Sequence, residues 1–256
     1  MASVILPHNE AGSGPAVVLL HAGVADRSMW DEHLQPLAEE GLRVLALDLP
    51  GFGDAPPSTV EDAPWNDVLE TMDALGIERA ALVGNSFGAL VALRVAAIAP
   101  ERVSRLALIS ASAPDIEPSA ELQAAWQAEE EAMESDDIDG AVRAVLDAWL
   151  LPDAPARLRE RVAAMQQRAL ELQAAAPEVP EGLDPIERDP DALSRIGCPT
   201  LIATGRHDMP DFYAGAEALA AAMPVAGHAV VLDAGHLTPL EQPVAFRELL
   251  LSLMAM

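Results

Sequence analysis

Apolar positions in this chain follow two alternating patterns. Short unbroken runs of aliphatic residues occur at 16–20, 44–47, 80–83, 106–109, 200–203 and 229–232. A strand wetted on one face alternates apolar and polar side chains, whereas a strand covered on both faces does not, so these runs predict buried parallel strands. Between them the period changes to that of a helix. Trp30, Leu34 and Leu37 recur at i, i+4 and i+7 behind Ser28 and Asp31, which have the spacing of a capping box. Trp65, Val68, Leu69 and Met72 repeat that period behind Pro64, and 87–99 is apolar on nearly every face until Pro100 stops it. Strand and helix in alternation predict an α/β fold: a mostly parallel twisted sheet flanked by helices, with right-handed crossovers.

The alternation fails between 114 and 196. No strand-like run occurs there, and three helical patterns follow one another at 119–134, 138–151 and 156–175. The second places Val142, Val145, Leu146 and Trp149 on one face, the third Leu158, Val162, Met165, Ala169 and Leu172. Prolines at 152, 155, 177, 180, 185 and 190 mark the joints. The chain therefore reads as a core made of 1–113 and 197–256 with a helical insertion at 114–196. An acidic run in the insertion, Glu129 to Glu131, Glu134, Asp136, Asp137 and Asp139, reads as a solvated helix end.

Charge narrows the choice of partner. With 41 acidic and 15 basic residues among 256, the net charge is -26, and such a surface repels nucleic acid and anionic membranes. Every basic residue is arginine, which removes Schiff-base chemistry and phosphate-loop lysines. Cys198 is the sole cysteine, so neither a disulfide framework nor a cysteine-rich metal site can form. Residues 1–15 have no basic stretch leading into an apolar one, and no apolar run is long enough to span a bilayer; the expectation is a soluble, cytoplasmic protein.

Gly84-Asn85-Ser86-Phe87-Gly88 follows one predicted strand and opens the most apolar helix. A serine on so sharp a turn needs small neighbours, and the turn lifts its hydroxyl above the sheet edge. An unassisted serine is a poor nucleophile, so a base and a group to orient it are expected further on. The predicted strand at 200–203 leads into Gly205-Arg206-His207-Asp208, and that at 229–232 into Asp233-Ala234-Gly235-His236. The candidate triad is Ser86, Asp208 and His236, gathered at the carboxyl ends of separate strands. His207 competes for the base, but it adjoins Asp208 and its side chain points elsewhere; Asp233, Asp211 and Asp115 are alternative acids. The segment Leu19-Leu20-His21-Ala22-Gly23-Val24 stands where a second oxyanion donor belongs, so the expected pair is the N–H groups of Gly23 and Phe87, with His21 bracing the loop. Val24, Trp126 and Trp149 are candidates for an apolar substrate pocket, with Met133 and Met165 nearby on the same helices.

On these motifs the chain resembles the α/β-hydrolase superfamily, in the branch with a helical cap after the sixth strand, and is most similar to relatives of 3-oxoadipate enol-lactonase and to carboxylic-ester hydrolases. Asp48-Leu-Pro-Gly51-Phe-Gly53 and Gly235-His236-Leu-Thr-Pro add to the likeness. Three positions depart from it: Ala22 where glycine is usual, Asp54 and Ala55 where serine often follows the turn, and an N-terminal hairpin shortened to about 3–6. The resemblance implies a cofactor-free and metal-free serine hydrolase acting on a small ester or lactone with water. Serine rather than aspartate at 86 argues against haloalkane dehalogenase and epoxide hydrolase chemistry. Cap arginines 143, 157, 159, 161 and 168 among many glutamates read as solvated pairs rather than an anion clamp, which favours a neutral or weakly polar substrate. The same core residues would also serve a carbon-carbon bond hydrolase, a perhydrolase or a non-catalytic ligand receptor.

Overall fold

The computed structural model describes residues 5–114, 116–189 and 191–256. Seven strands form one sheet: β1 (His8–Gly12), β2 (Ala16–Leu20), β3 (Arg43–Leu47), β4 (Ala80–Asn85), β5 (Val103–Ile109), β6 (Thr200–Gly205) and β7 (Ala226–Val231). Their spatial order is β1-β3-β2-β4-β5-β6-β7, and only β1 is antiparallel. Because β2 lies between β3 and β4, the chain reverses its direction of travel across the sheet there. The loops leaving β2 and β4 consequently open side by side, at the switch point where α/β sheets build sites.

Successive side chains of the parallel strands β2 to β6 enter different cores. Val18, Leu20, Leu45, Leu82, Leu106 and Ile202 pack with α2 (Pro64–Ala74), α3 (Phe87–Ile98) and α8 (Pro210–Ala222) on one face. Val17, Leu19, Val44, Val83, Ile109 and Ala203 pack on the other with Trp30, α1 (Asp31–Glu39) and α10 (Pro243–Met254). Two covered faces explain the unbroken apolar runs, each fully buried Leu, Ile or Val adding roughly 1.5–3 kcal/mol. Between β5 and β6 come α4 (Ala120–Glu134), α5 (Ile138–Trp149), α6 (Ala156–Ala174) and the single turn α7 (Pro185–Arg188); α9 (Thr238–Glu241) follows β7. The apolar face of α5 is buried as its spacing predicts, with Val142 and Leu146 joining the second core.

Several details differ from the sequence reading. The edge strand is His8–Gly12, not 3–6: Ser3 lies outside the described residues, and Leu6 is instead buried with its N–H on Thr71 Oγ1 at 3.0 Å. Among the described residues, five strands rather than six precede the helical insertion. Ser28 caps nothing. Asp26 caps a 3-10 turn at Arg27–Trp30 by accepting from Ser28 N at 2.8 Å, while Ser28 Oγ points to Met165 Sδ. β7 begins earlier than expected, so His228 lies within it, 3.0 Å from Thr204 Oγ1, and Leu232 falls outside, 68% exposed. Glu129 is drawn inward to accept from Gln166 at 2.9 Å, and burial pushes its carboxyl up; the rest of the acidic run is exposed. Among the described residues, no helix is long and apolar enough to cross a membrane.

Candidate active site

Ser86 occupies a strained turn. Its φ of 52° lies where a side chain collides with its own backbone, at a cost of about 1–3 kcal/mol. What holds it there is the close fit of its neighbours. Ser86 N–H donates to Ile109 O at 2.8 Å, and a Cβ on Gly84 would stand 2.2 Å from Gly88 O. A Cβ on Gly88 would stand 2.3 Å from Leu20 O, so glycine there lets the first turn of α3 press against the end of β2. Phe87 opens α3, where first-turn N–H groups have no intrahelical acceptor.

The loop after β2 faces that turn. A Cβ on Gly23 would touch Phe87 Cβ at 3.4 Å, which places the two candidate oxyanion residues against one another. His21 braces the loop. Its Nε2 accepts from Leu49 N at 2.9 Å, so the proton sits on Nδ1 and is donated to Ala22 O at 2.8 Å. Full burial pushes the pKa of this imidazole down and keeps it neutral. The departure at 54 and 55 leaves the neighbouring turn closed, because Asp48 accepts both Arg27 N at 2.8 Å and Asp54 N at 2.7 Å.

Asp208 and His236 meet across the loops that follow β6 and β7. Nδ1 of His236 lies 3.0 Å from Asp208 Oδ1, and their side chains are only 4% and 1% exposed. Main-chain bonds from Arg206 N to Val231 O, 2.8 Å, and from His207 N to Ala234 O, 2.9 Å, join the two loops. The imidazole is flanked by the rings of Trp149 at 4.4 Å and Phe212 at 4.3 Å. These two rings, with Val24, Leu122, Val145 and Met209, form an apolar cluster bridging the insertion and the core.

No hydrogen bond joins Ser86 Oγ to His236 among the described residues. The link runs through Asn85, whose buried amide donates to His236 O at 3.1 Å and to Ile109 O at 3.3 Å. A cavity of about 1000 Å³ opens on the Asp208 side of the imidazole, with Trp149, Leu151, Arg157, His236 and Glu241 in its walls and Ser86 outside them.

The alternatives separate on contacts. Asp211 accepts Ser119 N and Oγ, each at 2.7 Å; burial works to raise its pKa, but those bonds hold it low. It anchors α4 rather than an imidazole. Asp233 is exposed on a turn, His207 is exposed, and Asp115 lies outside the described residues. Trp149 and Val24 reach the site, but Trp126 does not. It is half-exposed on a separate groove with Glu129, Glu130, Met133 and Gln173, because α4 turns that edge outward. The sequence reading missed Asn85, Phe212 and Glu241. Asn85 is the variable second position of the elbow motif, and Glu241 lies five residues past His236 in a stretch too short to show a period. Of the five arginines singled out in the insertion, four form pairs, Arg143 with Asp137, Arg159 with Asp147, Arg161 with Glu32 and Arg168 with Asp54, while Arg157 stands in the cavity wall. Among the described residues, no three His, Cys, Asp or Glu side chains gather as a metal-ligand set.

Comparison with known proteins gives a consistent picture. A family model described as "Alpha/beta hydrolase family" matches residues 17–249. Among curated proteins, a 2-hydroxy-6-oxo-6-phenylhexa-2,4-dienoate hydrolase from Comamonas testosteroni is 36% identical over 116 residues, 43% of this chain and 41% of that protein. The matched stretch thus spans about two fifths of that relative. Among solved structures, a thermophilic esterase from Thermogutta terrifontis superposes with TM-score 0.73 at 26% identity, covering 97% of this chain and 93% of that one. The enol-lactonase from Burkholderia xenovorans LB400 superposes with TM-score 0.77 at 24% identity, covering 98% and 96%, a likeness of fold.

Proposed function

The chain belongs to the α/β-hydrolase family, and from that premise we propose that it is a serine hydrolase opening a small, neutral or weakly polar carboxylic ester or lactone through an acyl-enzyme. The observation that carries this reading is the buried Asp208–His236 pair, on loops tied by Asn85 to the strained turn of Ser86.

In the reaction, Nε2 of His236 takes the Ser86 hydroxyl proton as Oγ attacks the carbonyl carbon. The N–H groups of Gly23 and Phe87 receive the negative oxygen, each donor being worth about 10²- to 10³-fold in turnover. Asp208 holds the Nδ1 proton and stabilises the imidazolium. His236 then gives its proton to the leaving alkoxide, takes one from water, and returns it to Ser86 as the acid departs. The Ser86–His236 bond that this requires is of a kind that often closes only with substrate in place. The insertion acts as a cap: its Trp149, with Val24 of the loop after β2, presents apolar surface beside the base, and of the five cap arginines only Arg157, in the cavity wall, is left to offset the field of a chain of charge -26.

The dienoate-hydrolase relative favours a second reading, carbon-carbon bond hydrolysis by the same three residues. Product analysis with ester and diketone substrates separates the two. For the mechanism itself, Ser86→Ala should lower turnover by on the order of 10⁴- to 10⁶-fold with thermal unfolding unchanged. A fluorophosphonate should label Ser86, and His236→Ala should abolish labelling. Ordinary esterase activity in Ser86→Ala would overturn the assignment.

A further inference from the structure

We propose that Glu241 is a positioning residue for His236: its one carboxylate clasps both the N–H of Gly235, the residue before the imidazole, and the N–H of Leu151, two residues past Trp149, so the base and the wall against it are set together. This rests on the reading of His236 as the base.

The clasp is built from the sequence outward. Gly235, His236 and Leu237 turn straight into α9, which ends at Glu241, so the carboxylate returns over the loop it follows. Oε2 accepts Gly235 N at 2.7 Å. Oε1 accepts Leu151 N at 3.2 Å, two residues beyond Trp149. The three segments meet at Gly235, where a Cβ would stand 3.2 Å from Leu151 Cδ2 and in ordinary contact, 3.4 Å, with both carboxylate oxygens. Thr238 Oγ1 donates to Gly235 O at 3.0 Å, and Asn85 donates to His236 O, so the peptides around the imidazole are gripped from both sides.

An acid is chemically suited to this place. Two N–H groups arrive from different segments, and a carboxylate meets both with acceptors and offers no competing donor. Burial makes the charge costly and pushes the Glu241 carboxyl up, while the Gly235 and Leu151 N–H groups pull it back. The charged groups facing it are His236, which favours its ionised form, and Asp208, which opposes it. Glutamine has the same shape, but its amide nitrogen would confront one of the two N–H groups. It can satisfy only one arm.

Steady-state kinetics on a series of esters, with NMR, test the proposal. Glu241→Gln should lower kcat by roughly ten- to hundredfold on every ester, as misplacement of a base does. It should raise KM only for acyl groups long enough to reach Trp149, a split that general loosening would not give. Independently of turnover, the Gly235 and Leu151 amide protons in Ser86→Ala protein should titrate together, with one midpoint above the ordinary glutamate value of 4.5. Unchanged kcat in Glu241→Gln, or two amides that titrate apart, would overturn the proposal. If Glu241→Gln does not fold, the amide titration decides alone. Absence of any Ser86-dependent turnover would instead remove the hydrolase reading, with the joint titration still reporting on the clasp.

Discussion

Gly88→Ala isolates the feature on which the elbow depends. The new Cβ would stand 2.3 Å from Leu20 O and 2.5 Å from His21 O, where ordinary contact begins at 3.4 Å. Both obstacles are main chain, with no rotamer to yield, so α3 or the end of β2 must retreat by about 1 Å. Overpacking of this kind costs about 1–3 kcal/mol, and replacing glycine within a helix returns about 0.5–1 kcal/mol. The balance, a loss of up to about 2.5 kcal/mol, should lower Tm by up to about 10 °C for a chain of this size. Function should suffer more than stability. The retreat separates Phe87 N–H from Gly23 N–H, and loss of one oxyanion donor lowers kcat by about 10²- to 10³-fold. Thermal unfolding and ester hydrolysis, with Gly23→Ala as control, provide the assay. A Cβ at position 23 meets Phe87 Cβ at 3.4 Å, so that control should unfold within about 2 °C of the parent. If Gly88→Ala keeps both its Tm and its kcat, close approach of α3 to β2 is not what builds the site.

Two further outcomes follow from buried polar groups. Burial pushes His33 down to about 4 from the ordinary 6.5, while Nε2 bonds Pro239 O at 3.0 Å. The unfolded chain takes up its proton first, so stability present above pH 6.5 is lost as pH falls toward 4, by at most roughly 3 kcal/mol. His33→Gln should therefore show a shallower fall of Tm over that window, and parallel curves would contradict the assignment. Asp211→Ala strips the partner from Ser119 N and Oγ at the start of α4, and should lower the denaturant midpoint by the equivalent of about 1–3 kcal/mol; an unmoved midpoint would show that α4 is held elsewhere.

The candidate site is legible in the sequence where chemistry and backbone constrain one another. Gly84 and Gly88 have to be small because carbonyl oxygens lie where side chains would be, and that requirement marks position 86 by residue spacing alone. Asp208 and His236 were likewise marked by their places just beyond two strands. What escaped is held by long-range contact alone. His8–Gly12 pairs only at the sheet edge and so shows no apolar run. The run at 229–232 misses the start of β7 because β7 also has only one neighbouring strand, so half of its positions are exposed. Phe212 and Glu241 act through partners in distant segments, and no local period announces them.

The ring of Trp149 touches the imidazole at 4.4 Å while belonging to the helices between β5 and β6. On the proposed mechanism, specificity and basicity therefore share a surface. Any exchange of cap helices that reshapes the pocket at that tryptophan will also alter the medium in which the proton moves, so a cap altered for a new substrate should arrive with a displaced pH optimum.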